Sequence, residues 1–142
     1  GEIIVEGGQP LEAFRFDATH CPDLFPPLVA LAAACRGTSY IEGTDRLVHK
    51  ESNRAESLID VFSKLGVSIQ QSGNTLAVTG QESVNGVTVS SHHDHRIAMA
   101  ATIAGLRSEK DVRICHAESV GKSYAEFFLD LQSLGAGIQL EE

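Results

Sequence analysis

The run SHHDHRIAMAATIAGL, residues 91–106, sets His92, His93, Asp94, His95 and Arg96 in consecutive positions just before an apolar helical stretch. Side chains of these types support three kinds of chemistry. In a metal site, His92 and His95 at i, i+3 would share a helix face with Asp94 or His116 as third ligand, but no HExxH pattern or nearby thiolate completes the set. In a plain structural role, Ser91 or Asp94 caps the helix and the histidines lie on a solvated loop. In an anion site, Arg96 adds its charge to the backbone N–H groups and dipole of the helix start, and this third reading fits the cap best. No metal is assigned.

Cations recur where helix dipoles disfavour them. The spacing predicts that Lys50 and Arg54 share one face in the first turn of a second helix, that Arg96 opens a third and that Lys122 opens a fourth. Such placements cost roughly a few tenths of a kcal/mol each and gain nothing locally. A polyanion would reward them, with Arg suited to a planar carboxylate and Lys to phosphate as a point charge. Asp23, following Cys21 and Pro22, reads as an ordinary helix cap.

The elements that must position these groups follow from hydrophobic period and turn residues. EAFRFDA is strand-like, LFPPLVALAAACR helical after its prolines, and GTSYIEG strand-like again. In KESNRAESLIDVFSKLG, residues Ala55, Leu58, Ile59, Phe62 and Leu65 recur at helical spacing and Gly66 supplies the stop. VSIQQ and TLAVTG flank the turn residues Ser72, Gly73 and Asn74 as a hairpin. The pattern then restarts: strand GVTVSS, helix HRIAMAATIAGLRS, strand DVRICHA, helix KSYAEFFLDLQSLG and a final strand AGIQL. KLGVSIQ is echoed by SLGAGIQ about 70 residues later, which marks an internal duplication whose second copy lacks its last strand.

With 142 residues, 42% of them hydrophobic, the chain can bury a core. A net charge of -8 argues against a duplex nucleic-acid surface. The longest apolar run, LVALAAAC, is too short to span a bilayer, and no signal-peptide pattern opens the chain, so a cytoplasmic protein is expected. Cys21, Cys35 and Cys115 read as reduced, mostly buried thiols. The chain begins with Gly1 rather than Met, which fits a processed product or an excised piece.

The stretches KESNRAESLIDVFSKLGVSI, HDHRIAMAATIAGL and GKSYAEFFLDLQSLG resemble the C-terminal part of the 5-enolpyruvylshikimate-3-phosphate (EPSP) synthase family. That family's K-E-[ST]-D-R, D-H-R-[IM]-[AG]-M and K-[ST]-[FY]-P-x-F signatures recur here in order, with Asn53 in place of the usual Asp and Ala125 in place of Pro. The resemblance implies an α/β (α+β) fold of repeated β-α-β-α-β-β units, part of an inside-out α/β barrel of the enolpyruvyl transferase type with helices inside. It makes residues 1–142 the C-terminal portion of the C-terminal domain, with one unit at about 11–80 and a second at about 84–142. The missing strand would come from elsewhere in a longer chain.

The implied reaction transfers the enolpyruvyl group from phosphoenolpyruvate to the 5-hydroxyl of shikimate 3-phosphate and releases phosphate, without metal or cofactor. By the same resemblance Arg54 and Arg96 hold the phosphoenolpyruvate carboxylate, Lys122 its phosphate, and Asp23 takes the hydroxyl proton. Lys50 lies near that hydroxyl, Glu51 serves proton transfer to the methylene, and His95 lines the pocket. Implied partners are the two substrates and the remainder of a full-length, monomeric chain, with no nucleic acid or membrane; the isolated fragment is expected to be inactive. Asn53 removes one charge beside Arg54 and leaves the support of that arginine open. Rival readings are a relative acting on UDP-N-acetylglucosamine and a non-catalytic anion-binding module.

Overall fold

A computed structural model describes residues 1–141. The chain runs through β1 (Arg15–Asp17), a 3-10 turn (Pro22–Leu24), α1 (Phe25–Ala32), β2 (Thr38–Glu42), a 3-10 turn (Thr44–Leu47), α2 (Arg54–Lys64), β3 (Ser68–Ser72) and β4 (Thr75–Thr79). It continues through β5 (Thr88–Ser90), α3 (His95–Gly105), β6 (Arg113–Cys115), a 3-10 helix (Ala117–Lys122) and α4 (Phe127–Ser133). Strands β1 to β4 form one sheet in the order β1-β2-β4-β3, with β1 parallel to β2 and the other pairs antiparallel. Strands β5 and β6 form a separate parallel pair.

Sequence pattern explains which faces turn inward. Ser39 and Ile41 of β2 and Leu76 and Val78 of β4 alternate into the core, as period two requires. Helix α2 buries Ala55, Leu58, Val61 and Phe62, with Leu65 just past its end. Each large apolar side chain so covered contributes about 1.5–3 kcal/mol. Helix α3 is buried nearly all round through Ile97, Ala98, Ala100, Ala101 and Ala104, and these short side chains let it pack closely against α1, α2 and the 3-10 helix Ala117–Lys122. Pro26 and Pro27 are tolerated in α1 because its first turn has N–H groups without helical partners in any case.

Three expectations are corrected. Lys50 is not in α2: the helix begins at Arg54, where the Asn53 side chain accepts the Glu56 N–H and sets the boundary. Lys122 does not open α4. It ends the 3-10 helix, whose close is fixed by Ser123 and Tyr124 N–H groups donating to the Val120 carbonyl, and α4 starts only at Phe127. The segment 136–140 is not a strand. Its counterpart β3 is held by β4, and among the described residues no second copy of β4 pairs with it; instead the Gln132 side-chain amide donates to the Ile138 carbonyl. Of the cysteines, all free, Cys35 is buried while Cys21 and Cys115 are half-buried. Among the described residues no helix is long and apolar enough to cross a membrane.

Candidate active site

Arg54, the first residue of α2, is fully buried at 0% exposure, so every nitrogen of its guanidinium needs a partner. Nε donates to Asp94 Oδ2 at 2.8 Å and Nη2 to Asp94 Oδ1 at 3.3 Å. Nη1 donates to Asp23 Oδ1 at 2.6 Å, and Nη2 also reaches Glu51 Oε2 at 2.5 Å. Lys50 Nζ lies 3.4 Å from Asp23 Oδ1, and Arg96 Nη2 lies 3.5 Å from Asp23 Oδ2. Lys50, Arg54 and Arg96 therefore converge with Asp23, Glu51 and Asp94 in one cluster whose formal charges cancel.

The elements explain the convergence. Helices α2 and α3 pack together, so their N-termini bring Arg54 and Arg96 near each other. The 3-10 turn ahead of α1 carries Asp23 to the same place. Asp23 makes no side-chain cap bond there; its carboxylate goes to the cations instead, which corrects its reading as a cap. Asp94 does cap α3, accepting the Arg96 N–H at 3.0 Å, and it also accepts the Ser52 hydroxyl at 3.1 Å.

The three acids differ in access. Asp94 is 0% exposed, whereas the side chains of Asp23 and Glu51 are 50% and 42% exposed. Asp94 is thus the enclosed partner of Arg54, and Asp23 and Glu51 are the partners that face solvent. Burial pushes the Asp94 carboxyl up, but the Arg54 hydrogen bonds and charge outweigh it and hold the group below the usual aspartate range. Asp23 follows the same balance: partial burial raises it, and Arg54, Arg96 and Lys50 together bring it down. For Arg54, burial would favour loss of the proton, and the Asp94 carboxylate reverses this, so the charge stays.

The remaining candidates are placed less uniformly. His95, first residue of α3, is buried, and its Nδ1 has no hydrogen-bond partner among the described residues. Lys122 is exposed at the end of its 3-10 helix and forms no ion pair with the cluster. His92 and His95 do not share a face: His92 precedes the helix in a left-handed conformation and its Nε2 lies 2.9 Å from Asp60 Oδ2 on α2. Asn53 caps α2, and Arg54 draws its support from acids elsewhere. Nothing local in the sequence marks Asp94 as the arginine's counter-charge, although a buried arginine requires a buried acid and Asp94 of the D-H-R triplet, the cap of α3, supplies it.

A parallel strand pair bridged by a helix occurs in both halves of the chain, as β1-α1-β2 and β5-α3-β6, and Arg54 and Arg96 stand at the starts of α2 and α3. Solved structures share this α/β fold, which is of the enolpyruvyl transferase type. The enolpyruvyl transferase NikO from Streptomyces tendae, 21% identical, shares the fold with a TM-score of 0.69 over 92% of this chain and 30% of that one. The chain matches the family EPSP synthase (3-phosphoshikimate 1-carboxyvinyltransferase) over residues 1–131, and it belongs to that family. The 3-phosphoshikimate 1-carboxyvinyltransferase of Methanocella arvoryzae is 39% identical over 140 residues, covering 99% of this chain and 33% of the relative. That of Clostridium acetobutylicum is 43% identical over 122 residues, covering 86% and 28%. An EPSP synthase structure from Acinetobacter baumannii aligns with a TM-score of 0.77 at 29% identity, over 83% of this chain and 28% of that one. The chain thus spans about a third of the length of the curated relatives it matches.

Proposed function

We propose that this chain is the C-terminal portion of an enzyme that transfers the enolpyruvyl group of phosphoenolpyruvate to the 5-hydroxyl of shikimate 3-phosphate, with release of phosphate. The observation that carries the reading is the buried Arg54, anchored by Asp94 and closed toward solvent by the displaceable acids Asp23 and Glu51. A substrate carboxylate entering from solvent would take the Arg54 and Arg96 nitrogens now facing Asp23 and Glu51, a planar match that guanidinium groups favour. Asp23 then loses the cations that hold its pKa down, and its basicity rises when a substrate needs a base.

On this reading Asp23 removes the 5-hydroxyl proton, and the freed oxygen attacks C2 of phosphoenolpyruvate. Glu51 delivers a proton to the methylene carbon, which gives a tetrahedral ketal; the Glu51 carboxylate then takes a proton back from the new methyl group as phosphate leaves, and the enol ether forms. The cations stabilise the negative charge that develops along the way, and the reaction calls for positioned acid and base with no metal. Lys50 steers the hydroxyl, His95 lines the pocket, and Lys122 takes the phosphate. Residues 1–142 would supply two units, about 11–80 and 84–142, to the C-terminal domain of a cytoplasmic monomer.

Phosphate release from phosphoenolpyruvate and shikimate 3-phosphate by the full-length protein tests this. Asp23→Asn should lower kcat by roughly 10²–10⁴-fold. Arg96→Lys should chiefly raise KM for phosphoenolpyruvate, because the planar fork is lost. An undiminished kcat in Asp23→Asn, or turnover with UDP-N-acetylglucosamine in place of shikimate 3-phosphate, would overturn the assignment.

A further inference from the structure

Away from the arginine cluster, three ligating side chains meet at the ends of two neighbouring strands. Because β5 and β6 are parallel and Ser90 is in register with Cys115, both strands release their chains at the same edge of the pair. His93 stands in the loop after β5 and His116 in the loop after β6. The two loops are pinned together: the Ser91 N–H donates to the Cys115 carbonyl at 3.0 Å, and the buried Ser91 hydroxyl donates to the His116 carbonyl at 2.9 Å.

Both histidines adopt left-handed backbone, φ 57° at His93 and 61° at His116, a conformation that costs an ordinary L-residue roughly 1–2 kcal/mol. The result brings the rings to a centroid separation of 3.9 Å, tilted by 33°. His116 Nδ1 lies 3.9 Å from Glu118 Oε1, and one ligating atom from each of His93, His116 and Glu118 falls within 4.8 Å of the others. We propose that His93, His116 and Glu118 bind a divalent transition-metal ion of the zinc, nickel or copper type.

The donor set selects the ion. Two imidazole nitrogens and one carboxylate suit borderline transition metals, whereas magnesium and calcium require shells of oxygen. Ligand bonds of about 2.0–2.1 Å bring donor atoms of a tetrahedral site to roughly 3.3 Å apart, which these exposed side chains reach by small rotations. Solvent exposure leaves the remaining coordination positions to water. Bound metal would clip the loop that holds Asp94 to the loop that leads toward Lys122, and stabilise the folded state by mass action.

Untagged full-length protein titrated with Co²⁺ and Zn²⁺ provides the test, read by equilibrium dialysis and by the visible spectrum of the cobalt form. The expected result is one bound equivalent with d–d absorption and a rise in Tm on adding Zn²⁺. His93→Asn and His116→Asn should each weaken binding by at least about tenfold, since altering even outer-shell partners costs that much. Asn is well tolerated in left-handed backbone, so both variants should keep their metal-free urea midpoints. His92→Asn, which alters a neighbour tied to Asp60, should bind like the parent. No binding at millimolar metal, or equal affinity in the His93→Asn/His116→Asn double variant, would overturn the site.

Discussion

Asp94 carries two tasks that separate cleanly by substitution. Asn in its place keeps an acceptor for the Arg96 N–H, so the cap on α3 survives, but the buried Arg54 loses its fully enclosed counter-charge. Removing one partner of a buried pair costs about 3–5 kcal/mol, and with Asp23 and Glu51 still in contact the lower end applies, about 3 kcal/mol for Asp94→Asn. Asp23→Asn should cost about 1 kcal/mol or less, because its half-exposed carboxylate is screened. Urea denaturation of the full-length variants measures both, and the reverse order would mean that Asp94 is not the anchor. The pH dependence has a definite sign. The folded Asp94 carboxyl titrates below its unfolded value, so its stabilisation is complete above about pH 4 and is lost as pH falls through the lower folded pKa. Stability of Asp94→Asn should therefore decline less steeply on acidification than that of the parent. Arg54 and Arg96 are legible from their odd places at helix starts, but Lys50 lies outside α2 and the distant acid partners have no local signal: Asp23 lies 31 residues before Arg54 and Asp94 lies 40 after it, and only the packing of α2 on α3 joins them.

Helices α2 and α3 and the β3–β4 hairpin are readable because their signals are local: apolar period, the stop at Gly66, and the turn Gly73-Asn74. The start of α4 and the fate of 136–140 are not, since the first depends on how Val120 and Phe127 pack and the second on a partner strand, and none pairs with it among the described residues. Arg107 is another element-level feature without a local signature. It follows α3, and its guanidinium donates to the Ala33 carbonyl at the end of α1 at 3.0 Å, to the Glu82 carbonyl at 2.7 Å, and to the Gln81 carbonyl. These carbonyls lie at a helix C-terminus and in the connection after β4, so one side chain ties the first sheet to α3. Charge-assisted bonds of this kind are worth about 1.5–3 kcal/mol, and Arg107→Ala should cost about 2 kcal/mol in urea unfolding. Arg107→Lys should recover less than half of that, because an ammonium on a flexible stem cannot match the forked geometry. Full recovery by lysine would reduce the contact to simple charge.

At the scale of the molecule the two halves are finished to different degrees. The first sheet has four strands with β2 and β4 covered on both edges, whereas among the described residues β6 has β5 on one side and no strand on the other. Beside that open edge lies a cavity of about 380 Å³ walled in part by Leu106, Val112, Ile114, Phe128, Ile138 and Leu140. On α4 and just past its end, Leu129 and Leu134 are 55% and 83% exposed. Since the chain covers about a third of its relatives' length, the remaining sequence of a full-length protein is the natural cover for this region on the proposed reading. Hydrogen exchange on the 142-residue chain and on the full-length protein separates the two halves. Amides of β2 and β4 should be protected equally in both, because their partners lie within the chain. Amides of 136–140 and of α4 should exchange with almost no protection in the short chain and slow by at least about tenfold in the full-length protein, equivalent to about 1.4 kcal/mol of added local stability. Equal protection in both proteins would mean that the second half completes itself without help, and that the open edge of β6 is a finished surface and not a junction.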